Sequence, residues 1–224
     1  MTESMTEAIA SRHSVRSYRE KQLPHQLIQS LQDEIDACNA AGHLHIQLVT
    51  NEPQAFSGML AHYGNFKGVT NYIALIGADA QDLQERCGYY GERLVLKAQM
   101  LGLNTCWVAM TFSKGNAKKH LQLSGNEKIA CVLALGYGAV QGEPHRSKPL
   151  SALFHSETEA PDWVLNGMNA VLLAPTAMNQ QKFLFDYSNQ TVSCKSLGGP
   201  YSSIDLGIVE YQFEAGSGHQ IVSF

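Results

Sequence analysis

The chain of 224 residues and 24.6 kDa is long enough for one large domain, or two small ones, with a sizeable core. Its formal net charge of −4 and pI of about 6.1 exclude a broad basic face for nucleic acid. Only 16% of its residues are charged, against about 25% in ordinary globular proteins, so we expect a second subunit or a ligand to cover part of the surface.

The five cysteines are scattered and include no C-x-x-C pair. This spacing argues against a disulfide framework or a zinc site and favours a reducing cytoplasm. The N-terminal residues lack an apolar leader core, and no run of about 18 apolar residues occurs. We therefore expect a soluble, cytoplasmic protein with no membrane partner.

The first part of the chain alternates helical and strand patterns. Residues 23–42 are a clear helix, because apolar residues recur at 3.6-residue spacing after Pro24 and Gly42 follows as a stop. The other predicted helices are 4–11, a short one up to 62, 80–101 and 114–123, and the predicted strands are 43–50, 70–77 and 128–138. Inside helix 80–101, Gly88 and Gly91 each cost about 1 kcal/mol, which indicates close approach of another helix or a flat ligand.

The second part begins with a proline-containing connector, 140–154, which holds Arg146 and Lys148. It continues with a predicted helix over 160–173, paired strands within 182–196, a capping-box start at Ser202-x-x-Asp205 that opens helix 203–215, and a final strand over 219–224. The interleaved pattern predicts one α+β domain over 1–224. A faint echo between halves of about 1–150 and 151–224, without a residue-level repeat, leaves a diverged duplication open as an alternative.

Arginines are concentrated in the stretch "ASRHSVRSYR" (10–19), which holds three of the chain's six. Arg12, His13 and Ser14 offer a guanidinium, a ring and a hydroxyl, which suit the oxygens of a phosphate. In an extended stretch Arg12, Ser14 and Arg16 point the same way, with about 6.6 Å between successive members. The alternative is a solvated turn whose arginines form salt bridges with Glu20 or Asp33.

Standard catalytic motifs are absent from the sequence. It contains no G-x-S-x-G, H-E-x-x-H or P-loop pattern, and no G-x-G-x-x-G after a strand. The alternating pair His43 and His45 is more typical of a solvent-facing strand than of a metal site. Cys106 and Cys194 have no histidine at a readable spacing, and we interpret both as small buried hydrophobic residues.

The segment "AIASRHSVRSY" resembles the opening of the nitroreductase-type flavoproteins, whose signature is R-[RH]-S-x-R-x-[YF]. The resemblance implies a mostly antiparallel central sheet flanked by helices, and bound FMN. It places Arg12, His13 and Ser14 around the phosphate and ribityl chain of FMN. Arg16 would reach the N1/O2 edge of the ring system, where a cation stabilises negative charge.

Further segments resemble the same family along most of the chain. "GERLVLKAQMLGLNTCWVAMT" is similar to its core helix and the segment passing near the flavin, so Val108, Ala109 and Met110 are candidates for the slot over the ring or for ordinary core. "LALGYGAVQGEPHRSKPLSAL" is similar to its later strand and connector, which makes Arg146 and Lys148 phosphate partners. "LLAPTAMNQQKFLF" resembles its A-P-S-x-x-N-x-Q motif, which implies flavin contacts from Pro175, Thr176, Asn179 and Gln181.

This last motif stands at 174–183, whereas in the family it usually follows the second helix. The order resembles a divergent branch with a duplicated or permuted half. In ordinary members the flavin lies at a homodimer interface and the partner supplies this motif. A homodimer and a fused, pseudo-dimeric monomer are therefore both open.

The resemblance implies an FMN-dependent oxidoreductase that passes a hydride from NAD(P)H through flavin N5 to a small electrophile such as a nitroaromatic or quinone. No side chain is then expected to act as a catalytic acid or base, because the cofactor does the chemistry. Two alternatives remain: a flavin enzyme with another reaction, or a protein that stores or senses FMN without nicotinamide turnover.

Overall fold

The computed structural model describes residues 3–221, and it divides into two compact units. The N-terminal unit consists mainly of Arg12–Leu83 and Leu94–Pro144. The C-terminal unit consists of Ser4–Ser11, Gln84–Arg93 and the chain from His145 onward. The single domain with halves 1–150 and 151–224 stays a prediction.

Helices and strands alternate along residues 3–221, as the sequence pattern predicts. The helices are α1 (Met5–Ser11), α2 (His25–Gly42), α3 (Met59–Tyr63), α4 (Leu83–Met100), α5 (Lys114–Lys118), α6 (Asp162–Val171) and α7 (Ser202–Ser217). The strands are β1 (Gln47–Val49), β2 (Asn71–Ala78), β3 (Asn104–Val108), β4 (Glu127–Gly136), β5 (Phe154–Ser156), β6 (Phe183–Ser188) and β7 (Thr191–Ser196). Short 3-10 helices occupy Gln54–Phe56, Leu150–Ala152 and Ala177–Asn179.

The N-terminal unit is built on a four-stranded antiparallel sheet in the order β1-β2-β4-β3. The apolar runs predicted as strands 70–77 and 128–138 pair directly, with Tyr72 opposite Ala134 and Ile73 opposite Leu133. Every residue of β2 from Asn71 to Gly77 is buried. Because successive strand residues point to opposite faces, both faces of β2 are covered. The expected α+β class with an antiparallel sheet flanked by helices is confirmed.

The C-terminal unit contains a three-stranded sheet in the order β5-β6-β7, with β5 parallel and β7 antiparallel to β6. Strand β6 alternates buried and half-buried residues, so one face is directed to a core. That core contains aromatic rings: Phe185 stacks on Phe213 of α7 at 5.4 Å, and Trp163 of α6 meets Phe213 edge-on at 6.2 Å.

Helices α4 and α7 approach closely within the C-terminal unit. A Cβ added at Gly88 would lie 2.1 Å from the carbonyl oxygen of Ile204, and one added at Gly207 would lie 2.0 Å from that of Glu85. Neither distance is tolerable for a real side chain, so glycine is required at this crossing. The expectation that Gly88 marks a close approach is confirmed, and the neighbour is another helix.

Four predicted features differ from those observed. The strand predicted over 43–50 is ordered as a strand only at Gln47–Val49, and the helix predicted over 114–123 ends at Lys118. The capping box at Ser202-x-x-Asp205 is wrong: Tyr201 is the N-cap and its side chain forms no cap bond. Of the final strand predicted over 219–224, residues 219–221 are not in a strand and 222–224 lie outside the described residues.

Among the helices formed by residues 3–221, none combines the length and the apolar character needed to cross a membrane.

Candidate functional site

The arginine segment, defined as residues 12–19, runs in an extended conformation through the N-terminal unit. Backbone hydrogen bonds hold it on several sides. The Val15 amide donates to the carbonyl of Thr105 in β3 at 3.0 Å, and the Tyr18 amide donates to that of Lys67 at 2.9 Å. The Ala139 amide, beyond β4, donates to the Ser17 carbonyl at 2.8 Å. The path of the segment is therefore fixed largely by its own main chain.

Every third residue of the arginine segment, from Arg12 to Tyr18, is buried. Val15 and Tyr18 are buried in the core of the N-terminal unit, and the Tyr18 hydroxyl donates to the Val15 carbonyl at 2.7 Å. Arg12 is only 5% exposed, whereas Arg16 is exposed and Ser14 half-buried. The alternative of a solvated turn held by salt bridges is not what forms, since neither Arg16 nor Arg19 pairs with Glu20 or Asp33 within residues 3–221.

A polar pocket of about 420 Å³ opens beside the arginine segment. It brings together two cations, two hydroxyls and one amide, with a single carboxylate. Its lining residues, all in the N-terminal unit, are Ser14, Arg16, Ser17, Asn65, Lys67, Val140, Gly142 and Glu143. This donor set suits a ligand that is anionic and has polar edges. Of the residues predicted from sequence, Ser14 and Arg16 line the pocket, and Arg12 and His13 do not.

Lys67 and Asn65 belong to the pocket but were not predicted from the sequence. They lie on the loop before β2, about 50 residues from the arginine segment. The Lys67 amide donates to the Arg16 carbonyl at 2.9 Å, so the backbones of these two cationic residues are joined directly. Asn65 adopts a left-handed conformation with φ of 59°, which asparagine tolerates better than most residues. A local sequence motif carries no sign of this pairing.

The loop after β4 closes another side of the pocket. Gly142 has a φ of +77°, and a Cβ there would lie 2.8 Å from the Ser14 carbonyl oxygen and 3.0 Å from the His13 Cβ. Glycine is required for both reasons. The His13 ring donates from Nδ1 to the Gln141 carbonyl at 3.1 Å, and the Asn104 amide group donates to the Gln141 side chain at 3.0 Å. His13 therefore holds this loop against the arginine segment.

Cys106 of β3 lies beside the arginine segment and is 3% exposed, in agreement with its interpretation as a buried residue. Burial raises the pKa of its thiol, and the positive charges of Arg16 and Arg12 act in the opposite direction. The Ser14 hydroxyl also acts to lower the pKa of the thiol. Both arginines therefore place positive charge near one point of β3, although only Arg16 lines the pocket.

The residues predicted as a slot over a ring fall into two kinds. Val108 is 3% exposed, pairs with Val132 and belongs to the core of the N-terminal unit. Ala109 is half-buried and Met110 is 65% exposed, at the bend that follows β3. Their predicted role toward a flavin stays a prediction, with Val108 also serving the core.

The C-terminal unit assembles five of its six predicted site residues into one hydrogen-bond network. Lys148 Nζ donates to the carbonyls of Gln180 at 2.8 Å and Gln181 at 3.0 Å, and the Gln181 amide group donates to the Arg146 carbonyl at 3.0 Å. The Asn179 side chain donates to the same Arg146 carbonyl at 2.9 Å. The Gln181 amide donates to the Thr176 hydroxyl at 3.1 Å, while Pro175 is buried.

This network shapes the turn at residues 176–181. Met178, Asn179 and Gln181 all have φ near +50°, which is unusual for residues other than glycine. Asp205 of α7 supports the turn by accepting from the Ala177 amide at 2.8 Å and from the Gln180 side chain at 2.7 Å. Burial raises the pKa of Asp205, which is 3% exposed. Cofactor contact by Arg146, Lys148 and this turn stays a prediction.

No group of three or more His, Cys, Asp or Glu side chains within residues 3–221 is placed to hold a metal ion.

Comparison with known proteins identifies the family. The family described as "Putative TM nitroreductase" matches residues 4–217, nearly the whole chain. The chain therefore belongs to this nitroreductase family, and the resemblance noted in the sequence is confirmed. No curated protein matches the sequence.

Solved structures share the fold at low sequence identity. A "putative nitroreductase" from Thermotoga maritima superposes with a TM-score of 0.68 at 19% identity, covering 96% of this chain and 84% of that one. A nitroreductase-like protein from Streptococcus mutans gives 0.56 at 13% identity, over 70% and 97% of the two chains. A "putative nitroreductase" from Desulfovibrio desulfuricans, solved in complex with FMN, gives 0.53 at 14% identity, over 66% and 93%.

Proposed function

We propose that the chain is an FMN-dependent oxidoreductase that holds FMN at the polar pocket of the N-terminal unit. One observation carries the proposal. Arg16 and Lys67 meet beside the hydroxyls of Ser14 and Ser17 in a single pocket, within a chain of the nitroreductase family. The Desulfovibrio protein was solved in complex with FMN, whose dianionic phosphate and polar ring edge need this kind of donor set.

The residues present fit FMN on two counts. The pocket volume of about 420 Å³ lies within the roughly 300–1,000 Å³ of small-molecule and cofactor sites. Gly142 leaves out the Cβ that would meet the Ser14 carbonyl, so main chain forms part of the wall. A wall formed by main chain lets a flat ligand approach closely, because no side chain projects from it.

The chain's own groups have separable tasks in this proposal. Arg16 and Lys67 would hold the anionic groups of FMN and would stabilise added negative charge on it, a preorganised electrostatic effect. Ser14 and Ser17 would donate hydroxyl hydrogen bonds that orient the ligand. When bound, FMN supplies the redox chemistry, accepting a hydride and delivering it to an acceptor.

The proposed electron donor is NADH or NADPH, and the proposed acceptor is a small electrophile such as a nitroaromatic or a quinone. The alternative function is storage or sensing of FMN without turnover, and the experiment below distinguishes it from the proposed reaction. Membership of this family favours turnover over storage, because the family is described by a reaction, the reduction of nitro compounds.

The experiment is the visible absorption spectrum of the full chain supplied with FMN and freed of excess by gel filtration. The spectrum is then recorded without oxygen before and after NADH or NADPH. We expect retained flavin bands that bleach with one or both nucleotides and return on adding a quinone. Retained bands that neither nucleotide bleaches would establish a flavin-binding protein without this turnover.

Loss of all flavin on gel filtration would overturn the proposed cofactor. The Arg19→Ala variant serves as a matched control, because Arg19 lies in the arginine segment but does not line the pocket. It should retain flavin as well as the unaltered chain.

A further inference from the structure

A second cavity of about 330 Å³ lies in the C-terminal unit, and nothing in the proposed flavin chemistry uses it. Two helices provide most of its wall. Helix α4 contributes Glu85, Arg86, Tyr89 and Tyr90, and α7 contributes Glu210 and Glu214. We call it the acidic cavity, because three carboxylates face one guanidinium and the lining is negative overall when all three are ionised.

Glu210 is the group within the acidic cavity that points to a ligand. It is only 8% exposed, and its carboxylate makes no hydrogen bond with any group of residues 3–221. Its neighbour Glu214 is engaged instead, accepting from the Tyr89 hydroxyl at 2.5 Å and from the Ile221 amide at 3.3 Å. A largely buried carboxyl group without a hydrogen bond favours its protonated form, and once it is ionised it is stabilised by a cationic or donor partner.

The remaining lining favours an organic cation over a metal ion. Among the described residues, no group of three or more His, Cys, Asp or Glu side chains is placed to hold a metal ion, and this includes the three glutamates of the acidic cavity. Tyr89 and Tyr90 add aromatic rings, whose centroids lie 5.1 Å apart in an edge-to-face pair. Carboxylates combined with aromatic rings are the surroundings in which proteins recognise ammonium groups.

We propose that the acidic cavity binds a small organic cation with an ammonium head group, which pairs with Glu210. The cavity volume suits a molecule of a few carbon atoms. The site is separate from the polar pocket in its residues, and its ligand has the opposite charge.

The test is a calorimetric titration of the full chain, supplied with FMN, with choline chloride against a sodium chloride blank. Choline keeps its positive charge at every pH. Burial, Glu85 and Glu214 raise the pKa of Glu210 to about 8, so the titration is run at pH 9, where this carboxyl group is mostly ionised. The neutral carbon analogue 3,3-dimethylbutan-1-ol is titrated under the same conditions. We expect choline to bind and the alcohol to bind at least about tenfold more weakly.

Two variants make the assignment specific. Glu210→Gln keeps the shape and removes the charge, and it should weaken choline binding by about tenfold, the scale of one charge pair at partial exposure. Glu159→Gln, an exposed glutamate of the same unit, should bind choline like the unaltered chain.

Three results would overturn the proposal: no choline binding at pH 9, equal binding of the neutral alcohol, or unchanged binding in Glu210→Gln. The choline and alcohol comparison needs no variant, so it decides even where Glu210→Gln folds poorly. The flavin spectrum of the same sample reports separately on the proposed FMN site.

Discussion

At the scale of single residues, Arg16 is the side chain on which the proposed redox chemistry depends most. It is exposed, lines the polar pocket and is joined through its carbonyl to the Lys67 amide. We expect Arg16→Ala to lower the reduction potential of bound FMN by about 30–60 mV. This range corresponds to roughly 1.5–3 kcal/mol for a charged hydrogen bond in a two-electron couple.

The potential is measured against a reference dye, and the rate of flavin reduction by NADH is measured by stopped flow. Reduction should slow in Arg16→Ala and stay unchanged in Arg19→Ala, whose side chain lies outside the pocket. A potential equal in Arg16→Ala and the unaltered chain would remove Arg16 from this role.

Glu210 gives the molecule a pH-dependent stability of its own. Burial, followed by the charges of Glu85 and Glu214, raises its pKa from the ordinary 4.5 to about 8. A carboxyl whose pKa is raised by folding favours the folded state when protonated, so this stability is present below about pH 4.5 and is lost as pH rises through 8. We expect the urea midpoint of the unaltered chain to fall between pH 6 and pH 9.

Glutamine does not titrate, so Glu210→Gln should lose less of its urea midpoint over the same pH interval. Glu159→Gln, at an exposed position, should follow the unaltered chain. Parallel pH profiles for all three proteins would show that Glu210 has an ordinary pKa.

At the residue scale, the sequence predicted two of the eight residues that line the polar pocket. Ser14 and Arg16 were found because they lie in one short cluster with a recognisable spacing. Lys67 and Asn65 were missed, because their place beside Arg16 depends on main-chain bonds between residues about 50 apart. Such pairing leaves no trace in side-chain identity, and a lone "NFK" is typical of an ordinary loop.

At the scale of elements, the crossing of α4 and α7 should be intolerant of a single added methyl group. The Cβ of alanine at position 88 would lie 2.1 Å from the main chain of Ile204, which cannot be moved without separating the helices. We expect Gly88→Ala to destabilise the protein by about 2–4 kcal/mol, as overpacking against backbone does.

Gly115→Ala on α5 is the matched control, since nothing lies within 4 Å of the place that its added methyl group would occupy. It should be neutral or stabilise by up to about 1 kcal/mol through helix propensity. Thermal unfolding of both variants measures the contrast, and a Gly88→Ala variant as stable as Gly115→Ala would contradict the close crossing.

Lys148 should act on the 176–181 turn as a structural clamp. Its ammonium donates to two successive carbonyls of a turn that contains three left-handed residues. We expect Lys148→Met to speed hydrogen exchange at residues 176–182 by about tenfold, the effect of roughly 1.4 kcal/mol of lost local stability. Lys195→Met on β7 should leave exchange in this turn unchanged. Equal exchange rates in all three proteins would show that Lys148 does not stabilise this turn.

The element boundaries that sequence reasoning missed have local causes. Residues 43–46 alternate like a strand, but the Asn39 side chain on α2 accepts from the Ile46 amide at 2.7 Å and donates to its carbonyl at 3.0 Å. The Ile46 amide and carbonyl are therefore not available for strand pairing, and β1 begins only at Gln47. Asp205 failed as a capping residue for a similar reason, because the 176–181 turn uses both of its oxygens. Long apolar runs such as β2 and β4 had no such competition and were predicted well.

At the scale of the whole molecule, exposed apolar side chains favour self-association. On α3, Met59 is 88% exposed, Leu60 55% and Tyr63 84%, which is unusual for large apolar residues of a monomer. We propose that the chain forms a homodimer, with α3 in its interface. Light scattering should give about twice the chain mass of 24.6 kDa.

Met59→Lys together with Tyr63→Lys should shift the mass toward the monomer, because two lysines at adjacent turns repel their copies across a two-fold interface. Leu197→Lys, an exposed apolar residue outside α3, is the control and should keep the dimer. A monomeric unaltered chain would favour the fused, pseudo-dimeric arrangement instead.

The main-chain bonds that fix the arginine segment also bear on how such a protein diverges. These bonds use main-chain amides and carbonyls, which are present whatever the side chain. The path of this segment should therefore survive most side-chain replacements. A saturation scan of positions 13–19 would then separate two classes: Val15 and Tyr18, whose buried side chains tolerate few replacements, and Arg16, Ser17 and Arg19, which folding leaves free to vary. Replacements at Arg16, Ser17 and Arg19 should therefore change the ligand that the segment can hold more than they change its fold.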